Sequence, residues 1–252
     1  MAVLEPQEFC AAASPATVTG GSFTFTEAVL DFGTYVKYDL RVTAVGSTIS
    51  NDPHPFDAAG NGNTASMTVG CSTNLKTGVM RIDQSAETQT DVASFNHFKF
   101  ELFEAGTTTP ATRGKFRMSF FNIDGSPTGS QQDGGSIERL YVDKNTGLNP
   151  NAFIPANWYT TTSDMLIQYT TYGSGAAAPQ GHLVTFNPNR PSGYPDEYSE
   201  FDPVTANPEP YAYRHVDLAV ENTHEFDIAM YVGSNQVREI LFSGQANWHN
   251  PY

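Results

Sequence analysis

The chain has 252 residues and a formal net charge of −14, from 13 basic and 27 acidic side chains, and only 16% of its residues are charged. Because no basic surface is available to neutralise phosphates, the composition argues against nucleic acid as a partner, and no apolar run approaches the roughly 20 residues that span a bilayer. A hydrophobic fraction of 39% supports a real core, so we expect a single β-sandwich domain over residues 1–252.

The N-terminal region contains the first of two cysteines, Cys10, and the second is Cys71. Neither shows metal-ligand spacing or a CxxC pair. Cys10 and Cys71 therefore form either one disulfide or two separate buried thiols. In the chain-entropy model such a disulfide would raise the free energy of unfolding by about 4 kcal/mol. The stretch MAVLEPQEFCAAASPA lacks the basic and apolar regions of a secretory signal, and a trimmed mature protein would show the same pattern.

Short runs rich in Val, Ile, Thr, Tyr and Phe, separated by Gly, Asn, Pro and Asp, predict an all-β fold. In VKYDLRVTAV, apolar residues alternate with polar ones, which predicts a half-buried strand. Its expected solvent-facing residues are Lys37, Asp39, Arg41 and Thr43. The predicted strands are Ser22–Thr26, Tyr35–Val45, Ala65–Cys71, Val79–Ile82, Phe95–Phe103, Lys115–Ile123, Ser136–Val142, Met165–Tyr172, Val184–Phe186, His215–Glu221, Glu225–Val232 and Arg238–Ser243.

Two pairs of runs are predicted as neighbouring strands. In FFNIDGSPTGSQQDGGSIERLYVD, the apolar ends are interpreted as paired core strands around a polar surface loop. In HVDLAVENTHEFDIAMYVG, alternation on both sides of a turn at Asn222 and Thr223 predicts a hairpin. About twelve short strands with long crossings favour a two-sheet antiparallel sandwich of jelly-roll type, with long loops, over a closed barrel.

Gly, Ala, Pro and acidic residues dominate from about residue 173 to residue 210, in GSGAAAPQG and NPNRPSGYPDEYSEFDPVTANPEP. This density of proline allows only one short strand, near residues 182–186. We interpret the segment as a long surface excursion, because the roughly 40 residues after it are too few for a second sandwich. The final strands are therefore expected to return to the main domain.

Two loops present oxygen atoms of the kind that Ca²⁺ prefers, from carboxylates, amides and backbone carbonyls. The first, NDPHPFDAAGNGN, contains Asp52, Asp57 and Asn61 beside two glycines, without the spacing of an EF-hand. The second places Asp124 and Glu138 next to the two predicted core strands, where they suit a cation site or a glycosidase pair. The plain alternative in both cases is a surface loop stabilised by Asx and proline turns.

Aromatic side chains are the candidate ligand-binding residues, because sugars stack on rings while their hydroxyls bond to carboxylates. The candidates are Tyr194, Tyr198 and Phe201, which alternate with acids in SGYPDEYSEFDP, together with Trp158 and Trp248. A protein interface, or rings that hold the loop against its own sandwich, explains them equally well. No catalytic residue is predicted, since the chain has no GxSxG, HExxH or phosphate loop and its six histidines are scattered singly.

The stretch FRMSFFNIDG followed by SIERLYVD, and VENTHEFDIAMYVGS closing with REILFSG, resemble β-sandwich proteins of diatoms and other algae, including surface proteins and pyrenoid-shell proteins. The resemblance implies a non-catalytic protein that assembles into a coat, sheet or filament. It carries over no functional residue. It is consistent with an extracellular or cell-surface location, or with an organelle lumen such as that of the chloroplast.

Three functions follow from these observations. The leading hypothesis is a structural protein that forms a homo-oligomer or lattice through uncharged Thr- and Ser-rich faces. The second is a carbohydrate-binding module, with or without Ca²⁺ as a cofactor, and its partner is a glycan. The third is a polysaccharide-active hydrolase or lyase, which needs a pair of acids across a cleft.

Overall fold

The computed structural model describes residues 17–30, 36–49, 66–71, 77–83, 94–111, 115–121, 139–142, 153–155, 166–170, 182–186, 216–221, 224–232 and 237–243. All regular structure in these residues is β-strand, and none of them forms a helix long and apolar enough to cross a membrane. The strands are β1 (Thr17–Thr19), β2 (Ser22–Leu30), β3 (Lys37–Ile49), β4 (Ser66–Cys71), β5 (Gly78–Asp83), β6 (Ser94–Glu104), β7 (Lys115–Phe121), β8 (Arg139–Val142), β9 (Phe153–Pro155), β10 (Leu166–Thr170), β11 (His182–Phe186), β12 (Val216–Glu221), β13 (Glu225–Val232) and β14 (Val237–Ser243).

The strands form two seven-stranded sheets. Sheet one has the order β1-β4-β5-β14-β7-β12-β9, and sheet two has the order β10-β11-β8-β13-β6-β3-β2. All pairings between these strands are antiparallel. The prediction of an all-β, two-sheet antiparallel sandwich is therefore confirmed.

The order of eight central strands favours the jelly-roll form of the sandwich, which stays a prediction. Sheet one contains β5-β14-β7-β12 and sheet two contains β6-β13-β8-β11 as adjacent groups of four. Along this set the chain changes sheet at every step except from β8 to β11. Two interleaved groups of four strands are what two Greek keys wound into a jelly roll produce.

The two predicted strand pairs are wrong, because their members lie in opposite sheets. Strand β12 pairs with β7 and β9, whereas β13 pairs with β6 and β8. Strand β7 likewise lies in sheet one and β8 in sheet two. Three residues, 222–224, separate β12 from β13 in the sequence. A chain of three residues can span about 10 Å, and two packed sheets are also about 10 Å apart. A short connection therefore does not require a hairpin.

All twelve predicted strands coincide with observed strands, whose ends differ by up to a few residues. The sequence missed β1 and β9. Each has only three residues, which is too short for alternation to be recognised. Their places at the two ends of sheet one depend on partners that are distant in sequence, β4 and β12.

Five buried phenylalanines join the two sheets at the centre of the core. Phe100 of β6 stacks on Phe226 of β13, with ring centroids 4.9 Å apart, and both belong to sheet two. Phe100 also forms T-shaped pairs with Phe120 and Phe242 of sheet one, with ring centroids 5.8 Å and 5.3 Å apart. Phe25 of β2 meets Phe242 at 5.3 Å. Such aromatic pairs add about 0.5–1.5 kcal/mol each to the free energy from burial.

Phe242 occupies space that only a glycine leaves open. Its register partner across the β5–β14 pair is Gly78. A Cβ built at Gly78 would overlap atoms of the Phe242 ring. The ring therefore rests directly on the backbone of β5, and the aromatic cluster depends on the missing side chain at this position.

We expect Gly78→Ala to lower the free energy of unfolding by about 1–3 kcal/mol, because the methyl group displaces a ring that contacts three other phenylalanines. Urea denaturation monitored by circular dichroism measures the change. The matched control is Gly78→Ala combined with Phe242→Leu, whose cost should be smaller than the sum of the two single costs. Strict additivity of the two substitutions would contradict the direct contact.

Asp39 does not face solvent as predicted. It is 6% exposed, although it lies on the outward side of β3. Its Oδ1 accepts a hydrogen bond from the backbone N–H of Glu27, and its Oδ2 accepts one from the N–H of Gly106, each at 2.8 Å. Both donors have positive φ values, 51° and 72°. The carboxylate therefore stabilises two backbone positions with positive φ. One is Glu27 in the bulge of β2, where a non-glycine residue is strained, and the other is Gly106 in the turn after β6, where glycine adopts this conformation readily.

Cys71, at the end of β4, is disulfide-bonded, and no cysteine in the described part of the chain is free. Cys10, the other cysteine of the chain, lies outside the described residues. A crosslink to Cys71 ties its partner to the β4 strand, which pairs with β1 and β5. The constraint therefore acts on sheet one, close to its β1 end.

We expect reduction to lower the free energy of unfolding by about 4 kcal/mol, because an intramolecular Cys10–Cys71 bond closes a long loop in the unfolded chain. Urea denaturation with and without a phosphine reductant measures this difference. The Cys10→Ser, Cys71→Ser double variant should match the reduced protein and should not respond to reductant. Two reactive thiols in the denatured, unreduced protein would contradict the prediction.

Candidate functional site

The candidate residues predicted from the sequence lie outside the described residues, apart from Cys71. These are Asp52, Asp57, Asn61, Asp124, Glu138, Trp158, Tyr194, Tyr198, Phe201, Trp248 and Cys10. The structure neither brings them together nor separates them. The calcium, glycan and acid-pair hypotheses therefore stay predictions. Among the residues that the structure does describe, no three His, Cys, Asp or Glu side chains are grouped so that they could hold a metal ion.

A network of charged side chains covers part of the outer face of sheet two. We call this network the charged face, and it consists of Arg41 of β3, His97, Lys99 and Glu101 of β6, and Glu225 and Asp227 of β13. It arises because Phe98, Phe100 and Leu102 alternate with the β6 members and are buried in the core. Pattern alone identified the strand, but not which charges meet across strands.

Register places opposite charges next to each other on the charged face. Glu101 lies opposite Arg41 on one side and opposite Glu225 on the other. The Arg41 Nη2 atom lies 3.0 Å from Glu101 Oε2, and its guanidinium lies 4.4 Å from the ring centroid of Phe103. Lys99 Nζ lies 2.7 Å from Glu225 Oε2 and 3.6 Å from Glu101 Oε1. Lys99 therefore binds two carboxylates that would otherwise repel each other.

His97 and Asp227 form the most buried pair of the charged face. His97 Nε2 and Asp227 Oδ1 are 2.6 Å apart, and Asp227 is 6% exposed. A buried carboxylate needs hydrogen-bonding partners, and the imidazole supplies one. This arrangement fits a structural role for His97, which stabilises the pairing of β6 with β13.

The pKa of Lys99 is raised above its ordinary value. The main cause is the hydrogen bond to Glu225, and the negative charges of Glu101, Glu225 and Asp227 add to it, while partial burial opposes it. The ammonium form is therefore favoured in the folded protein. Its charge keeps Glu101 and Glu225 together on neighbouring strands.

Glu101 and Glu225 are two acids that face each other directly in the β6–β13 register, so we compare them with a catalytic acid pair. A glycosidase needs one carboxylic acid that is free to protonate a leaving group. Here each carboxylate is bound by a cation, Glu225 by Lys99 and Glu101 by Lys99 and Arg41. In this arrangement the cations stabilise the pairing of β6 with its neighbours β3 and β13.

Negative charge is distributed unevenly between the strands and the rest of the chain. The described residues contain eight of the 13 basic side chains and ten of the 27 acidic ones, a net charge of −2. The remaining residues carry five basic and 17 acidic side chains, a net charge of −12. The described strands therefore carry little net charge, which reduces repulsion between copies that meet through them.

Three of the four outermost strands are protected against pairing with another chain. Strands β1 and β9 have three residues each, and β9 ends at Pro155. Strand β2 has nine residues, but its pairing with β3 is interrupted between Phe25 and Val29. The interruption contains Glu27, with a positive φ and an ion pair to Lys37 at 3.0 Å. Short length, proline, bulges and charge all protect sheet edges.

The fourth outermost strand, β10, has none of these protections. It is Leu166–Thr170, with the sequence LIQYT, and it pairs with β11 in continuous register over five residues. No described strand lies beyond it in sheet two. The stretch from Met165 to Tyr172 contains no charge, proline or glycine. We call the side of this strand on which no described strand lies the β10 edge, and it is the candidate functional site of the described part of the chain.

Comparison with solved structures finds bacterial adhesin domains. The N-terminal domain of the Streptococcus gordonii adhesin Sgo0707 is 11% identical with a TM-score of 0.44, over 94% of this chain and 51% of that one. The adhesin domain of PrgB from Enterococcus faecalis is 14% identical with a TM-score of 0.43, over 92% and 67%. The same domain bound to DNA is 12% identical with a TM-score of 0.38, over 91% and 70%.

The chain spans about half the length of the Sgo0707 structure. No family model matches the chain, and no curated protein matches it. Similarities at this level identify neither the family of the chain nor its function.

The raised pKa of Lys99 leads to a prediction about pH. A raised folded-state pKa stabilises the protein fully below the unfolded pKa of 10.5, and this contribution is lost as the pH rises through the folded value. We expect the urea midpoint of the wild-type protein to exceed that of Glu225→Gln at pH 8. The difference should shrink as the pH rises above about 10.5.

Urea midpoints measured between pH 8 and pH 11.5 test this prediction. Glu27→Gln is the matched control, because Glu27 pairs with a lysine, Lys37, outside the charged face, at an exposed site. Its midpoint should stay close to the wild-type value at every pH. A constant difference between wild type and Glu225→Gln across the range would contradict a role for Lys99 protonation.

Proposed function

We propose that the protein is a non-catalytic structural protein that self-associates, and that two copies meet through their β10 edges. The observation that carries the proposal is the contrast between the four outermost strands. Three are protected by shortness, proline, or a charged bulge, and β10 is regular and uncharged. Natural sheets protect edges that must stay single, so an unprotected edge suits a partner strand.

A second copy of the chain fits this edge better than an unrelated partner. Two identical uncharged strands can pair antiparallel around a two-fold axis, so that each N–H and C=O of one edge meets its counterpart on the other. Each such hydrogen bond adds about 0.5–1.5 kcal/mol. The low net charge of the described strands favours this approach, while the acidic remainder of the chain opposes it at low ionic strength.

Pairing of two β10 edges closes as a dimer, because a two-fold interface uses the same patch on both subunits. A coat, sheet or filament needs a second kind of contact between dimers. The resemblance to algal β-sandwich proteins belongs to the same proposal, since it also implies assembly with copies of the chain. An extracellular or cell-surface location completes the proposal and agrees with the low content of charged residues.

Gln168, the middle residue of β10, provides the sharpest test. In a pair centred on this residue, Gln168→Lys places two like charges opposite each other, and so does Gln168→Glu. We expect each variant to weaken dimerisation about fivefold or more. An equimolar mixture of the two should recover association as a heterodimer. Sedimentation velocity at several protein concentrations and at moderate ionic strength measures all four samples, including the wild type.

Thr24→Lys is the control, because Thr24 is an exposed residue of the other outermost strand of sheet two, β2. This substitution adds the same charge without touching the β10 edge, so dimerisation should stay at the wild-type level. A wild-type protein that sediments as a monomer at the highest concentration would refute self-association. Equal weakening by Thr24→Lys and Gln168→Lys would refute the β10 edge as the contact.

A further inference from the structure

Three polar residues are buried on the core side of sheet two. Ser47 of β3 is 1% exposed, and Ser94 and Asn96 of β6 are fully buried. The core-side residues that follow on β6 are Phe98 and Phe100. Ser47 and Asn96 are direct register partners. This end of the core is therefore polar, while its centre is aromatic.

A bulge in β3 explains why Ser47 faces the core. The pairing of β3 with β6 shifts by one residue between Ala44 and Gly46. With regular alternation from the buried Val42, the Ser47 side chain would face outward. The extra residue of the bulge turns the following side chains to the opposite face of the sheet, so Ser47 faces the core. Val45, which lies at the shift in register, is apolar and 43% exposed. The bulge thus moves a hydroxyl into the core beside an amide.

The amide of Asn96 has a fixed orientation. Its Nδ2 donates to Ser94 Oγ at 2.8 Å, to the backbone oxygen of Ser94 at 3.4 Å and to the backbone oxygen of Met230 at 3.3 Å. These acceptors all lie on the nitrogen side of the amide, so Oδ1 is directed away from them. Neither Asn96 Oδ1 nor Ser47 Oγ has a hydrogen-bond partner within the described part of the chain.

Both atoms lie on directly opposed residues, and each destabilises the fold, because it makes no hydrogen bond there to replace those it makes to water in the unfolded chain. Opposed residues have Cβ atoms about 4.5–5.5 Å apart. One water molecule between them would accept from the Ser47 hydroxyl and donate to Asn96 Oδ1. Ser47, Ser94 and Asn96 carry no carboxylate, so they lack the charged ligands that Ca²⁺ sites use. We propose that a single buried water binds between Ser47 and Asn96 and bridges β3 to β6.

A crystal structure of the full chain at about 1.5 Å resolution tests this site directly. We expect one ordered water within about 2.7–3.2 Å of both Ser47 Oγ and Asn96 Oδ1. A direct hydrogen bond between these two atoms would overturn the proposal, and so would the absence of density between them.

Thermal unfolding provides an independent test. We expect Ser47→Ala to lower Tm by about 2–4 °C, because the water loses a partner. If no water binds, the same substitution removes an unsatisfied hydroxyl, and Tm should stay constant or rise. Ser66→Ala is the matched control, since Ser66 is an exposed serine of β4, and its Tm should equal that of the wild type. A Tm that stays constant or rises in Ser47→Ala, with Ser66→Ala at the wild-type value, would overturn the proposal.

Discussion

The contact between the Phe242 ring and the backbone of Gly78 is the constraint on which the sandwich depends. Through this contact β14 brings its ring close to β5 and across the core to Phe25 and Phe100. Phe100 in turn stacks on Phe226, so the aromatic contacts pass from one sheet into the other. These ring contacts between the two sheets fix the relative position of the sheets, because side chains in a close-packed interior have little room to move.

Departures from regular strand geometry explain where polar groups are buried. The bulge in β2 creates a positive φ at Glu27, and the buried Asp39 carboxylate stabilises it from the neighbouring strand. The bulge in β3 turns Ser47 toward the core. Both bulges lie within the β2–β3–β6 end of sheet two. Each bulge therefore accounts for one buried polar residue, Asp39 beside the β2 bulge and Ser47 after the β3 bulge.

Local alternation predicted the strands well, because one buried face is enough to impose a period of two residues. It failed wherever the answer depends on distant partners. Asp39 has the position of a solvent-facing residue, but the N–H groups that bury it belong to other elements. The β12–β13 segment alternates as a hairpin would, yet its strands join opposite sheets. Alternation also could not predict the β10 edge, since only the order of strands in a sheet identifies an edge strand.

The distribution of charge connects the fold to assembly. On the charged face every acid meets a basic side chain, which needs register between β3, β6 and β13 that no linear pattern encodes. The strands consequently contribute little to the net charge of −14. In the proposed dimer, two copies would meet along strands that carry little net charge, while the acidic residues elsewhere in each chain would oppose their approach at long range.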